Sequence, residues 1–303
     1  MRTSLAGLLV AGFSVTLPSV ASAQTTWTWN GADGEYTVGS NWDQGTRPDL
    51  TATGNTAIIN SGAVTYTPGG DLAINNGGSL VINGGSWTQV DSVAWIQLGG
   101  GSLVVAGGTF NQGTAGNIVR NADTSITISS GVANFSGNLI NDTATLGSLN
   151  LSGTGTIGVQ NEFKPIETFT VSGGTLTVGN LISFADGPGG IDFAAGTINL
   201  DGSGGNSGFY GGGLGKGLNF VTGSTGTLFF SSYSATELNA DGFLTNGTIQ
   251  SNGAIDAAGF NIVEADGGVY VSLIGAAIPE PSAFAMLAGV AALGFVASRR
   301  RRD

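Results

Sequence analysis

The sequence predicts an all-β protein, a parallel β-helix (β-solenoid) with coils of about 23 residues, preceded by a signal peptide and followed by a single short C-terminal transmembrane helix. Composition, an internal spacing and the two chain ends carry that expectation. Glycine fills 54 of 303 positions and charged residues make up only 10%, while apolar residues hold 41%. Disordered chains combine low hydrophobicity with high net charge, and this chain does not. Its Val, Ile, Thr and Leu interleaved with Gly and Asn suit many short strands joined by tight turns.

The spacing is the strongest of the three. Gly77-Gly78-Ser79-Leu80-Val81-Ile82-Asn83-Gly84-Gly85-Ser86-Trp87 recurs as Gly100-Gly101-Ser102-Leu103-Val104-Val105-Ala106-Gly107-Gly108-Thr109-Phe110, and Leu80, Leu103, Ile126 and Leu149 stand 23 apart. A repeat of 20 to 50 residues signals a stacked architecture. Alternation inside each unit signals strands with one inward row. Each unit reads as a short strand, a glycine turn and a second short strand. One coil cannot bury its apolar row alone, so coils must stack about 4.8 Å apart with like residue over like. Leu80, Leu103, Ile126 and Leu149 then form an aliphatic column, the glycines after them form corners, and Ser102 points outward. Later units drift, through Phe169-Thr170-Val171 before Gly173-Gly174 and Ile191-Asp192-Phe193 before Ala195-Gly196. A β-sandwich is the rival fold, but it needs no constant 23-residue spacing.

The expected segments are 1–23 as signal peptide, 24–200 as solenoid, 201–278 as a glycine-rich excursion with a C-terminal cap, and 279–303 as sorting and membrane anchor. Met1 to Ala23 has one early charge, Arg2, an apolar run from Leu5 to Leu17, and the small-residue cleavage site Ala21-Ser22-Ala23. Such a leader is removed by signal peptidase. The first mature residues hold Trp27, Trp29 and Trp42, which cap the first coil or offer indole faces to sugars. Asp201 to Gly217 reads as a loop leaving the stack. Ser234 to Glu237 has the capping-box pattern, so Ala235 to Ala240 is expected as a helix. Phe260–Glu264 and Val269–Leu273 are expected as a closing hairpin.

The far end reads Pro279-Glu280-Pro281, an apolar run from Ala283 through Ser298, then Arg299, Arg300, Arg301 and Arg302. Prolines stop a helix from starting earlier. About 16 helical residues span roughly 24 Å, short of a hydrocarbon core of about 30 Å, a gap that snorkelling arginines narrow. The arginine cluster keeps that end cytoplasmic. This arrangement resembles the PEP-CTERM sorting tail of Gram-negative bacteria. The resemblance implies Pro279, Glu280 and Pro281 as the sorting motif, Ala283 to Ser298 as a retention helix and Arg299 to Arg302 as stop-transfer. It also implies an exosortase as partner, a transient stay in the inner membrane, and release or attachment at the cell surface among exopolysaccharide or biofilm. The Trp-rich start resembles the openings of autotransporter-type β-helix proteins.

Residue types restrict the chemistry. With no Cys and no His, disulfides, thiol nucleophiles, Ser-His triads and His- or Cys-held zinc are excluded. Between Gln24 and Ile278, Arg47, Arg120, Lys164 and Lys216 face eighteen acidic residues. A basic footprint for nucleic acid is lacking. A dispersed acidic surface serves solubility, with cation binding as its alternative. For a polysaccharide lyase or hydrolase, Asp186, Asp192 and Asp201 with Lys164 or Lys216 are the available groups, and they fit no hydrolase or calcium motif. The pairs Thr154/Thr156, Thr175/Thr177 and Thr225/Thr227 suggest an ice-binding face but do not recur at the coil period. The resulting expectation is a noncatalytic exported protein with no cofactor, no metal site and no assigned catalytic residue, with surface polysaccharide as its partner.

Overall fold

The computed structural model describes residues 23–67, 71–90, 95–113, 118–120, 124–141, 148–165, 168–185, 189–201 and 208–275. The leader up to Ser22, including Ala21, lies outside the described residues, as do Pro279 to Pro281, Ala283 to Ser298 and Arg299 to Arg302. Ala23 is described and exposed.

The chain winds into a parallel β-solenoid whose regular coils are about 23 residues long. The coils build three faces. Face A stacks Thr56–Ile59, Ser79–Ile82, Ser102–Val105, Ser125–Ile128 and Ser148–Leu151 in parallel, with Ala57, Leu80, Leu103, Ile126 and Leu149 in register. All five are at most 1% exposed, so the aliphatic column is the core of this face. Between coils, Ser102 points outward and its hydroxyl donates to that of Ser79 at 2.8 Å. The column continues through Phe169, Ile191, Leu218 and Ile249.

Face B stacks Ala63–Tyr66, Ser86–Gln89, Thr109–Asn111, Val132–Phe135 and Thr156–Val159. Its inner side holds a continuous aromatic stack in which Tyr36, Tyr66, Trp87, Phe110 and Phe135 follow one another at 5.4, 5.5, 4.9 and 5.6 Å. Rings at these separations add attraction beyond their burial. The A–B corner needs glycine. Gly85 has φ +68°, and a Cβ there would lie 2.3 Å from the Gly62 carbonyl oxygen of the coil below.

The two-strand unit expected from the repeat is incomplete, because seven successive coils have a third strand. Face C runs through Leu72–Asn75, Ile96–Gly99, Ile118–Arg120, Leu139–Asn141, Glu162–Lys164, Leu181–Ser183 and Gly208–Tyr210. Three faces close a prism whose interior is filled by side chains. In the drifting coils, faces A and B fuse into ten-residue strands, Phe169–Val178 and Ile191–Leu200, bent at Gly174 and Gly196 with φ of +72° and +96°.

Both ends are closed. Thr26–Thr28 and Gly34–Glu35 lie on the first strands of faces A and B. Trp27, Trp29 and Trp42 are buried, and each indole N–H is used, by Thr46 Oγ1 at 3.1 Å, the Ala32 carbonyl at 2.6 Å and the Tyr36 carbonyl at 2.9 Å. They cap the stack and offer no open platform. Beyond Leu200 the stack goes on. Of the expected excursion, Gly208–Tyr210 returns to face C, and Leu218–Phe220 and Thr227–Phe230 extend faces A and B. The hairpin Phe260–Ala265 and Gly268–Leu273 then seals face B antiparallel to Thr227–Phe230. Helix α1, Ala235–Ala240, carries the full Ser234–Glu237 capping box, and its Ala235 N–H donates to Glu264 of the hairpin at 2.6 Å. Among the described residues no helix is long and apolar enough to cross a membrane.

Candidate functional site

Among the described residues, the acidic residues and lysines considered for catalysis do not all gather at one place: Asp192 and the turn around Lys216 border one recess of about 200 Å³, while Asp201 and Lys164 lie elsewhere. Asp186 lies outside the described residues. Asp192 and Asp201 stand at opposite ends of the strand Ile191–Leu200, and Asp192 accepts from Asn219 Nδ2 at 2.9 Å. Lys164 pairs with Glu162 on face C at 3.4 Å. Lys216 sits in a tight turn closed by reciprocal backbone bonds with Gly213 of 2.8 and 3.0 Å. Among the described residues no three carboxylates gather where they could hold a metal ion.

Threonines behave differently from expectation. Thr156, Thr175, Thr197 and Thr227 are in register on four successive coils. A search at fixed period misses this row because coil length changes along it. The neighbouring row reads Thr88, Asn111, Asn134, Gly158, Thr177, Asn199 and Phe229, so hydroxyls stand in both rows at Ser86/Thr88 and at Thr175/Thr177 but not on the coils between them.

That neighbouring row borders a groove of about 400 Å³ along the corner between faces B and C. Its walls rise coil by coil: Asn111 and Gln112, then Asn134 and Ser136, then Gly158 and Gln160, then Thr177 and Gly179, with Asp201 at the end. Parallel stacking explains the alignment, since a residue at one register position on each coil forms a line along the axis. Asn134 Nδ2 donates to Asn111 Oδ1 at 2.9 Å, and Asn111 Nδ2 to Thr88 Oγ1 at 3.3 Å. The ladder stops at Gly158, where a Cβ would stand 3.0 Å from Asn134 Oδ1. Amides and hydroxyls both donate and accept, so the groove suits a polyhydroxylated chain laid lengthwise. Gln112 is 4% exposed, and its side-chain amide has no hydrogen-bond partner.

A second cleft, of about 490 Å³, follows farther along the same corner, between Leu181, Phe209, Tyr210, Tyr233, Asp241 and Phe243. Burial, and then the neighbouring Asp241 carboxylate, push the Tyr233 hydroxyl up to about 12. It therefore remains a proton donor throughout the physiological range.

Neither cleft explains how the protein reaches its place of action. Residues 277–302 match the family model of the PEP-CTERM protein-sorting motif. The chain carries a PEP-CTERM sorting signal. The matched span includes Pro279, Glu280, Pro281 and all four terminal arginines. The PEP-CTERM signal marks an exported protein that is anchored transiently in a membrane and sorted by exosortase. No curated protein and no solved structure matches the chain.

The groove residues escaped the sequence reading, although a signal for some was present. Asn111 and Asn134 are 23 apart, as are Asn138 and Asn161, which bond at 2.6 Å. Tyr210 and Tyr233 are also 23 apart, but one ends a face C strand and the other follows a face B strand, so there the interval marks no shared register, and Asp241 has no periodic partner.

Proposed function

We propose that this PEP-CTERM protein is a noncatalytic structural component of the cell surface or extracellular matrix, which holds exopolysaccharide along the B–C corner of its solenoid. The groove that crosses five coils, lined by Asn111, Asn134, Ser136, Gln160 and Thr177, carries this reading. A rigid stack presents such groups at a regular rise and keeps them in place without a rearrangement on binding. Hydrolysis of a glycosidic bond needs two carboxylates within about 10 Å, and Asp192 and Asp201 stand at opposite ends of a ten-residue strand, which supports a binding role over hydrolysis by that pair. Signal peptidase would cut after Ala23, and exosortase would act at Pro279-Glu280-Pro281 while Arg299 to Arg302 hold the helix at the inner membrane.

The test expresses the full chain in a host that makes both exosortase and exopolysaccharide. The wild type is expected to lose its arginine cluster and to sediment with the matrix. Glu280→Ala leaves the apolar run and arginines intact, so the uncut form is expected in the inner membrane. Normal release of that variant would remove the assigned role of the motif. Absence of the processed wild type from the matrix, or unsaturated or newly reducing sugar ends in its presence, would overturn the binding role.

A further inference from the structure

Face C ends first, one coil before face B and two strands before face A. Faces A and B continue beyond Ile191–Leu200 with Leu218–Phe220 and Thr227–Phe230, whereas face C stops at Gly208–Tyr210. After Phe230 the chain passes through Tyr233, helix α1, Asp241 and Phe243. The open end of face C and this crossing segment enclose the second cleft.

Its construction is specific. Gly208 has φ +148°, and a Cβ there would lie 2.9 Å from Tyr233 Oη and 3.4 Å from Phe243 Cζ, so a side chain at this position would crowd the cleft. Phe243 is held edge-on to Phe209 at 5.5 Å and against Tyr233 at 6.2 Å. Tyr210 is 64% exposed at the mouth. The polar groups in the lining are the Tyr233 and Tyr210 hydroxyls and the Asp241 carboxylate, with no cationic side chain among the described lining residues.

We infer that this cleft is a binding site for neutral pyranose units, stacked on Tyr210 and hydrogen-bonded to Asp241. The C–H faces of a pyranose are apolar and pack on aromatic rings, while its rim hydroxyls donate to a carboxylate. A uronic acid would instead bring its charge to Asp241 in a chain of net charge −11, with no cation in the lining to compensate. The inference deepens the exopolysaccharide reading and rests on it for the source of the sugar, but it uses different residues from the groove.

The experiment titrates the detergent-solubilised full chain with cello-, manno- and xylotetraose and with tetragalacturonate, followed by calorimetry and saturation-transfer NMR. At least one neutral tetraose is expected to bind, with tetragalacturonate weaker by about tenfold or more. Tyr210→Ala is expected to weaken the neutral ligand by about tenfold. Tyr210→Phe should restore most of that loss, because it keeps the ring. Asp241→Asn should weaken binding while narrowing the preference against tetragalacturonate. Tyr210 is largely exposed, so an unchanged circular dichroism spectrum is expected for its variants. Failure of every neutral tetraose to bind, equal binding of tetragalacturonate, or wild-type affinity in a folded Tyr210→Ala would overturn the site. Matrix sedimentation of Tyr210→Ala separates the two readings, since the groove is intact in that variant. Loss of tetraose binding with sedimentation retained supports both, whereas a wild type that never sediments removes the groove reading alone.

Discussion

The coils from Ala57 to Leu149 and those from Phe169 to Ile249 solve one packing problem under different constraints. In the first set the inward column of face A advances by 23 residues at every step. In the second it passes from Leu149 through Phe169, Ile191, Leu218 and Ile249 in steps of 20, 22, 27 and 31. Parallel pairing and an inward apolar residue persist throughout. Pairing constrains each strand but not the connection beyond it, and lengthening a surface loop costs little. The extra residues therefore accumulate at the corners and at the end of face C. The regular coils supply a uniform wall, and the aromatic cleft opens where regularity fails.

The largest effect expected concerns the two halves of the column. Leu103→Asp places an unpaired carboxylate between Leu80 and Ile126, at a cost of several kcal/mol (about 4 or more). Because neighbours on both sides depend on this coil, loss of the whole far-ultraviolet strand signal is expected. Leu218→Asp strikes near the C-terminal end, where unfolding can stop at the adjoining coils. Limited proteolysis of that variant should leave a resistant fragment containing Ala57 to Leu149. Whole-chain unfolding of both variants would show that the irregular coils are not separable from the regular ones.

Corner glycines test the same contrast at smaller scale. At Gly85, with φ +68° and the Gly62 oxygen 2.3 Å from where a Cβ would stand, Ala is expected to cost about 3 kcal/mol from strain and clash together. Gly223 has φ +74° but nothing within 4 Å of its Cβ position, so Ala there should cost only about 1 kcal/mol. Urea midpoints of the two variants measure the difference. Equal midpoints would mean that coil-to-coil contact does not set the need for glycine.

The smallest effect is alkaline. Burial raises Tyr36 and Tyr66 near the N-terminal end, and Tyr233 and Tyr270 near the C-terminal end. A tyrosine raised in the folded state leaves stability unaffected below its unfolded value of about 10, and above it the unfolded chain ionises first. Stability should therefore fall as pH rises through about 10. Tyr36 is 2% exposed and its hydroxyl lacks a hydrogen-bond partner, so Tyr36→Phe should flatten this fall at little cost near neutrality. Tyr270→Phe should flatten it less, because that tyrosine is only partly buried, although its hydroxyl donates to Asp266 at 2.8 Å. Melting temperatures at pH 9 to 11, a window set by the ordinary tyrosine value of about 10, distinguish the two.

Local and periodic features were readable from the amino acids alone. The spacing of Leu80, Leu103, Ile126 and Leu149 specifies parallel stacking, because only like-over-like pairing turns a constant interval into a column. Ser234 and Glu237 specify their own cap, the glycines at the corners specify turns, and the PEP-CTERM sorting signal is legible in residues 277–302. These signals lie within a few residues of one another or repeat at one interval. Tertiary structure alone decided the third face, since its three- and four-residue strands are too short to declare themselves beside loops of changing length. It also decided that Trp27, Trp29 and Trp42 turn inward, and that Thr156, Thr175, Thr197 and Thr227 align despite unequal spacing. The aromatic cleft is the furthest from the sequence. Leu181, Tyr210, Tyr233 and Asp241 come from separate coils and a cap, and they meet only because face C stops where the other two faces continue.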